Sequence, residues 1–160
     1  MYDAEATLLD VSTPEGLSDA MINHGVTLAD LKGITAEELE AGYSYAYDAF
    51  NEGRFSDALE LFLFLVTHDP FDRRFLFGYA MCLAEFERVE DALNFFTQAY
   101  LLDARDAACT LRIGECLMLL GKYEEAIEAF EATVDVSYLN PEFSAIRDVA
   151  ESRIQDLKSL

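Results

Sequence analysis

Phe55-Ser56-Asp57-Ala58-Leu59-Glu60-Leu61-Phe62, Val89-Glu90-Asp91-Ala92-Leu93-Asn94-Phe95-Phe96 and Tyr123-Glu124-Glu125-Ala126-Ile127-Glu128-Ala129-Phe130 are three copies of one pattern, set thirty-four residues apart. Each has an aromatic or apolar residue, an alanine three later and a phenylalanine four after that. Such spacing keeps the three positions on one face of an α-helix. A fixed period of this length means stacked units that each leave a face for the next to cover.

The thirty-four-residue period with an Ala-x-x-x-Phe core is the mark of the tetratricopeptide repeat, a helix-turn-helix unit. Two further requirements of that unit are present. Small residues, Ala46, Ala80 and Gly114, stand twelve before the three alanines, where the first helix meets the second. Gly53 and Gly121 stand five before, at the end of the first helix, where a left-handed backbone suits glycine. Glu87 occupies that place in the middle unit, so its turn is read as a departure from the pattern. Asp69-Pro70 closes the first unit, whereas Asp103-Ala104 and Ser137-Tyr138 lack the proline.

The expected fold is therefore all-α: three tandem repeats in a short right-handed superhelix, with N-terminal helices and a C-terminal capping helix. The segments are 1–34, an N-terminal helical region; 35–140, with repeats at about 39–72, 73–106 and 107–140; and 141–160, the cap. Helix punctuation supports the ends. Thr13-Pro14-Glu15 opens a short helix that stops near His24-Gly25, and Thr27 opens a turn ended by Lys32-Gly33. Thr35 with Glu38 is a capping box at the start of the first repeat helix. Asn140-Pro141 begins a last helix with the stripe Phe143, Ile146, Ala150, Ile154 and Leu157.

Composition excludes several classes of function. The 160 residues carry 31 acidic and 11 basic side chains, a net charge of −20. A surface so negative repels phosphate backbones and anionic lipid, so neither nucleic acid nor direct membrane insertion is expected. Among the first forty residues Asp3, Glu5, Asp10, Glu15, Asp19, Asp30, Glu37, Glu38 and Glu40 face only Lys32; they read as a solvated, solubilising surface. Residues 1–5 show no basic stretch ahead of an apolar run, and no run approaches the length of a membrane span, which places the chain in the cytoplasm. Cys82, Cys109 and Cys116 form neither a disulfide framework nor a zinc motif; Cys82 and Cys116 are themselves thirty-four apart, as small buried side chains would be. His24 and His68 are isolated, and no phosphate loop or nucleophile elbow is present. No catalytic residue, metal ligand or cofactor is expected, and the chain reads as a binding surface.

The first helices locate that surface. Tyr45, Ala46 and Ala49 are assigned to the packing face of the first repeat, which leaves Tyr43, Tyr47 and Phe50, at i, i+4 and i+7, as a separate stripe. Equivalent positions are Phe77, Met81 and Ala84 in the second repeat and Leu111, Glu115 and Met118 in the third. First helices line the concave side of such a superhelix. The expected peptide-binding residues are Tyr43, Tyr47, Phe50, Phe77, Met81, Leu111 and Met118, with Glu115 interrupting the stripe. A groove so lined takes an extended apolar segment; the alternative is that the N-terminal segment or a second subunit covers it. An adaptor for a charged carboxylate terminus would need lysine and asparagine where Tyr43 and Tyr47 stand.

The stretch Gly25-Val26-Thr27-Leu28-Ala29-Asp30-Leu31-Lys32-Gly33-Ile34, followed by Glu37-Glu38, runs directly into Tyr43, Tyr45-Ala46-Tyr47, Phe50-Asn51-Glu52-Gly53-Arg54-Phe55 and Asp57-Ala58. Here the chain resembles the class II type III secretion chaperones of translocator proteins, over about residues 24 to 140. The resemblance implies a small acidic cytoplasmic chaperone from a Gram-negative bacterium. It would hold hydrophobic translocators soluble and secretion-competent by taking an extended Pro-x-Leu-x-x-Pro-like segment into the groove. It also implies a homodimer formed through the N-terminal region, carried by no particular residue, and a transcriptional regulator as a second partner. A scaffold binding another soluble protein is the alternative function.

Overall fold

The computed structural model describes residues 11–159. Residues 1–10, which include the stretch 1–5 and the acidic positions Asp3, Glu5 and Asp10, and Leu160 lie outside the described residues. The described residues form nine α-helices and one short 3-10 turn. They are α1 (Pro14–His24), α2 (Leu28–Lys32), α3 (Ala36–Asn51), α4 (Phe55–His68), α5 (Arg73–Glu85), α6 (Val89–Leu102), α7 (Ala107–Leu119), α8 (Tyr123–Ser137) and α9 (Ser144–Lys158). From α3 to α9 each helix packs on the next. The fold is thus a stack of antiparallel pairs, α3/α4, α5/α6 and α7/α8, closed by α9.

The helix ends follow from the residues that mark them. Thr13 accepts the Gly16 amide, and Gly25 ends α1 at φ 66°. Thr27 with Asp30 and Thr35 with Glu38 both form reciprocal capping boxes. At Asn140-Pro141 the chain first makes the 3-10 turn Pro141–Phe143, and α9 follows it. Ala150 and Leu157 of α9 are buried against Ala126 and Phe130, so the last repeat does not end in an open apolar face.

Ala58, Ala92 and Ala126 are completely buried, as are Ala46 and Ala80. Two corrections concern the first helices and their turns. Tyr45 does not join the packing face: 71% of its surface is exposed. The buried positions of α3 are Leu39, Ala46 and Ala49, and at 100° per residue Tyr45 falls outside the arc they define. Glu87, read as a departure, adopts φ +57°, close to the +76° and +74° of Gly53 and Gly121. The turn is conserved in shape although its glycine is missing, and a side chain there bears the steric penalty of the left-handed region. Glu87→Gly is therefore expected to raise the free energy of unfolding by about 1 kcal/mol, read by urea denaturation; a decrease would mean that the Glu87 side chain contributes more than its backbone costs.

Small residues also set how closely the repeats approach. A Cβ on Gly78 of α5 would lie 2.1 Å from the ring of Phe62 in α4, and one on Gly114 of α7 would lie 2.6 Å from Phe130 in α8. Each glycine is a notch filled by a phenylalanine ring, between repeats in the first case and within a repeat in the second. His68 is buried and internally satisfied: Nδ1 lies 2.8 Å from the Phe64 carbonyl, Nε2 lies 3.3 Å from Lys32 Nζ, and the ring stacks on Phe64. These contacts fasten the N-terminal segment to the first repeat. Among the described residues no helix is long and apolar enough to cross a membrane, and no cluster of three or more His, Cys, Asp or Glu could hold a metal ion.

Candidate functional site: an aromatic groove across the repeats

A cavity of about 440 Å³ opens between α3 and α5, with α4 as part of its floor and the start of α7 at one end. Tyr43, Tyr47 and Phe50 reach it from α3 because i, i+4 and i+7 share one helical face. Phe77 and Met81 reach it from the same register one repeat later. The structure thus brings five of the seven expected residues together.

The rings brace one another. Tyr43 lies 6.1 Å from Tyr47 and 6.1 Å, edge to face, from Phe62. Phe77 meets Phe96 at 5.3 Å in the same T-shaped manner. Tyr47 is 53% exposed, whereas Tyr43, Phe50, Phe77 and Met81 are half-buried. Burial, offset in part by the neighbouring Arg74, pushes the Tyr43 hydroxyl above the ordinary tyrosine range.

Leu111 and Met118 stand outside the cavity. Leu111 is only 8% exposed and packs in a second apolar cluster with Leu117, Ala126 and Phe130, against which Met118 also rests. In the third repeat this stripe faces its own α8 and the capping helix. Glu115 of the same stripe pairs with Arg112 at 2.7 Å.

Several lining residues were not anticipated: Phe62, Gly78 and Asn51, and a polar end formed by Arg73, Arg74 and Asp106. Arg74 bonds Asp72 at 2.7 Å and Glu40 at 2.9 Å while its guanidinium lies 4.7 Å from the centre of the Tyr43 ring. Those two carboxylates, Asp72 foremost, hold its pKa above the usual arginine value. Arg73 pairs with Asp106, whose other oxygen accepts the Ala108 amide as the N-cap of α7. Glu40 and Arg74 occupy equivalent positions thirty-four residues apart, so opposite charges in one repeat register were the available signal.

The three thiols are buried, and burial pushes Cys82 and Cys109 up to about 12 and Cys116 up to about 11. They are expected to stay inert to iodoacetamide in the folded chain at pH 7.5 and to react only after denaturation; labelling of native protein within minutes would show that the repeats open locally.

Stacked helix pairs with an apolar groove across their first helices define a tetratricopeptide-repeat protein. Residues 43–108 and 83–147 each match a profile of the tetratricopeptide repeat. Low calcium response locus protein H of Yersinia pseudotuberculosis is 24% identical over 140 residues, covering 88% of this chain and 83% of that one. Chaperone protein SicA of Salmonella dublin is 27% identical over 110 residues, 69% of this chain and 67% of the other. The type III secretion translocator chaperone SycD of Yersinia enterocolitica has a similar structure, with a TM-score of 0.75 at 25% identity over 81% of this chain and 97% of that one. The same protein in complex with a peptide of the translocator YopD matches with a TM-score of 0.75 at 24% identity, over 78% and 95% of the two chains. Together the two profiles cover residues 43–147, so the chain belongs to the tetratricopeptide-repeat proteins, and it is similar to type III secretion chaperones.

Proposed function

We propose that the chain is a cytoplasmic chaperone that holds an extended apolar segment of a hydrophobic translocator in this groove until export. The carrying observation is the convergence of Tyr43, Tyr47, Phe50, Phe77 and Met81 on one cavity. An apolar segment left in water aggregates or enters membranes early; the groove removes it from water, and the −20 net charge keeps the complex dispersed. Support comes from SycD, which is seen with a peptide of its translocator.

Each leucine-sized side chain anchored in such a groove contributes roughly 1.5–3 kcal/mol. Two or three anchors, less the cost of ordering the segment, give a dissociation constant on the order of micromolar. Tighter capture needs more of the partner wrapped around the repeats. The groove presents rings at Tyr43 and Tyr47, where recognition of a charged terminus would need cationic and amide side chains.

The test is capture from the native cytoplasm, comparing wild type with a Tyr43→Ala, Tyr47→Ala double variant whose circular dichroism is unchanged. A partner with long apolar segments is expected on wild type alone. An apolar-poor soluble partner held equally by both would favour a scaffold role and demote the tyrosines to packing.

A further inference from the structure

The second helix of each repeat turns its outer side away from the groove, and that side changes character from one repeat to the next. In α4 it carries Leu63 and Phe64, each 48% exposed, with Phe71 exposed just past the helix end. The same register in α6 gives Thr97 and Gln98, but one turn further on Leu101 is 74% exposed. In α8 the register gives Glu131 and Ala132, and Asp135 takes the place of Leu101.

The stack does not need apolar side chains here. Leu63, Thr97 and Glu131 occupy one position of the repeat, and Thr67, Leu101 and Asp135 occupy another, so a polar or charged group serves equally well at both. Single exposed apolar residues are ordinary; gathered on one side of neighbouring units, they mark a surface that another molecule covers.

The far end of the same side is negative. Glu124, Glu128, Glu131 and Asp135 are exposed and follow one another at i, i+4, i+7 and i+11, which makes them one stripe along α8. Lys158 of α9 reaches Glu131 at 3.1 Å, whereas Glu124, Glu128 and Asp135 make no ion pair among the described residues. A second copy of the chain brings the same unmatched acids and a net charge of −20; a cationic partner answers them. The outer side of the stack is also convex, with no groove to take up the backbone polar groups of an extended segment. A chain lying on it must satisfy those groups internally, as a helix does.

We propose that the outer side of α4, α6 and α8 is a docking surface for an amphipathic helix of another protein. Apolar residues of that helix lie over Leu63, Phe64 and Leu101, and lysines or arginines at one end of it lie over the α8 stripe. The groove on the opposite side stays free, so two chains can be held at once. The inference does not depend on what the groove holds.

The probe is the fluorescein-labelled peptide acetyl-Lys-Ala-Lys-Leu-Lys-Ala-Lys-Leu-Ala-Gln-Leu-Leu-Ala-Gln-Leu-Ala-amide, which as a helix has its leucines on one face and its lysines at one end. The control peptide has the same composition with the leucines spread around the helix. Anisotropy titrations compare wild type with three double variants: Phe64→Ser with Leu101→Ser, Glu128→Lys with Asp135→Lys, and Tyr43→Ala with Tyr47→Ala. Melting curves check the folding of each. Wild type is expected to bind the probe about tenfold more tightly than the control. The serine and lysine variants should each lose about tenfold, and the tyrosine variant should bind as wild type does. Raising sodium chloride from about 50 to 500 mM should weaken wild type more than the lysine variant. Equal affinity for probe and control would mean general attraction to a negative surface and overturns the inference. So does wild-type affinity in either the serine or the lysine variant, and so does loss of binding in the tyrosine variant, which would put the probe in the groove. A wild-type dimer in sedimentation that the serine variant dissociates would give the surface to a second copy and overturns the inference too.

Discussion

Phe62→Ala should lower the free energy of unfolding by about 3–5 kcal/mol, roughly a fifth or more of what a domain of this size holds. The ring is 2% exposed, fills the notch at Gly78 on the next repeat and supports Tyr43 edge to face. Truncation leaves a void between the first and second repeats beside Gly78, which has no side chain to fill it. Urea denaturation reads the change. A loss under about 1 kcal/mol would mean that α4 and α5 close over the gap. Gly78→Ala attacks the same joint from the other side: its methyl would meet a buried ring and not a flexible side-chain end. It is destabilising in wild type, and paired with Phe62→Leu part of that cost is expected to disappear, because the two substitutions share one volume.

Met81→Glu should weaken capture of an apolar segment by about a hundredfold or more. The side chain lines the cavity and is half-buried, so a ligand seated over it must cover a carboxylate without a partner. That desolvation costs several kcal/mol unless the group takes up a proton, and each 1.4 kcal/mol is a tenfold change in affinity. Because an unpartnered carboxylate under a ligand favours its protonated form, binding by the variant should recover as pH falls below about 5, whereas wild type should change little over that range. Equal affinity of variant and wild type at pH 7.5, with melting curves matched, would remove Met81 from the binding surface.

What could be read from the sequence and what could not divide along physical lines. The repeats were legible because each depends on a few residues recurring at a fixed interval: Ala58, Ala92 and Ala126 with the phenylalanines that follow them. The caps at Thr13, Thr27 and Thr35 were legible because capping is a local matter of a hydroxyl and an amide three residues away. The stripe of Tyr43, Tyr47 and Phe50 followed from one helix. Misplaced residues depend on which neighbour a helix meets. Tyr45 sits one position from Ala46, and one position is 100° of rotation. Leu111 and Met118 share the register of the groove but belong to a repeat whose free side is packed against a capping helix. The turn at Glu87 has the same backbone without the residue that usually marks it. Arg73 and Arg74 were invisible to apolar patterning; apart from Asp72, their partners stand about one repeat away, at Glu40 and Asp106, and only a comparison of charges across repeats would have paired those.

The joint between the two helices of each repeat recurs almost unchanged. A left-handed residue at 53, 87 or 121 is followed by a cation whose side chain reaches the acid three further on: Arg54 to Asp57, Arg88 to Asp91, Lys122 to Glu125. Asp72 and Asp106 likewise cap the second and third first-helices in one geometry. An interior unit therefore begins and ends on interchangeable fittings and contacts only what lies on either side of it. Duplication of such a unit in the gene would extend the stack by one step without asking any distant residue to change, and the length of chain the protein could cradle would grow by copying and not by redesign.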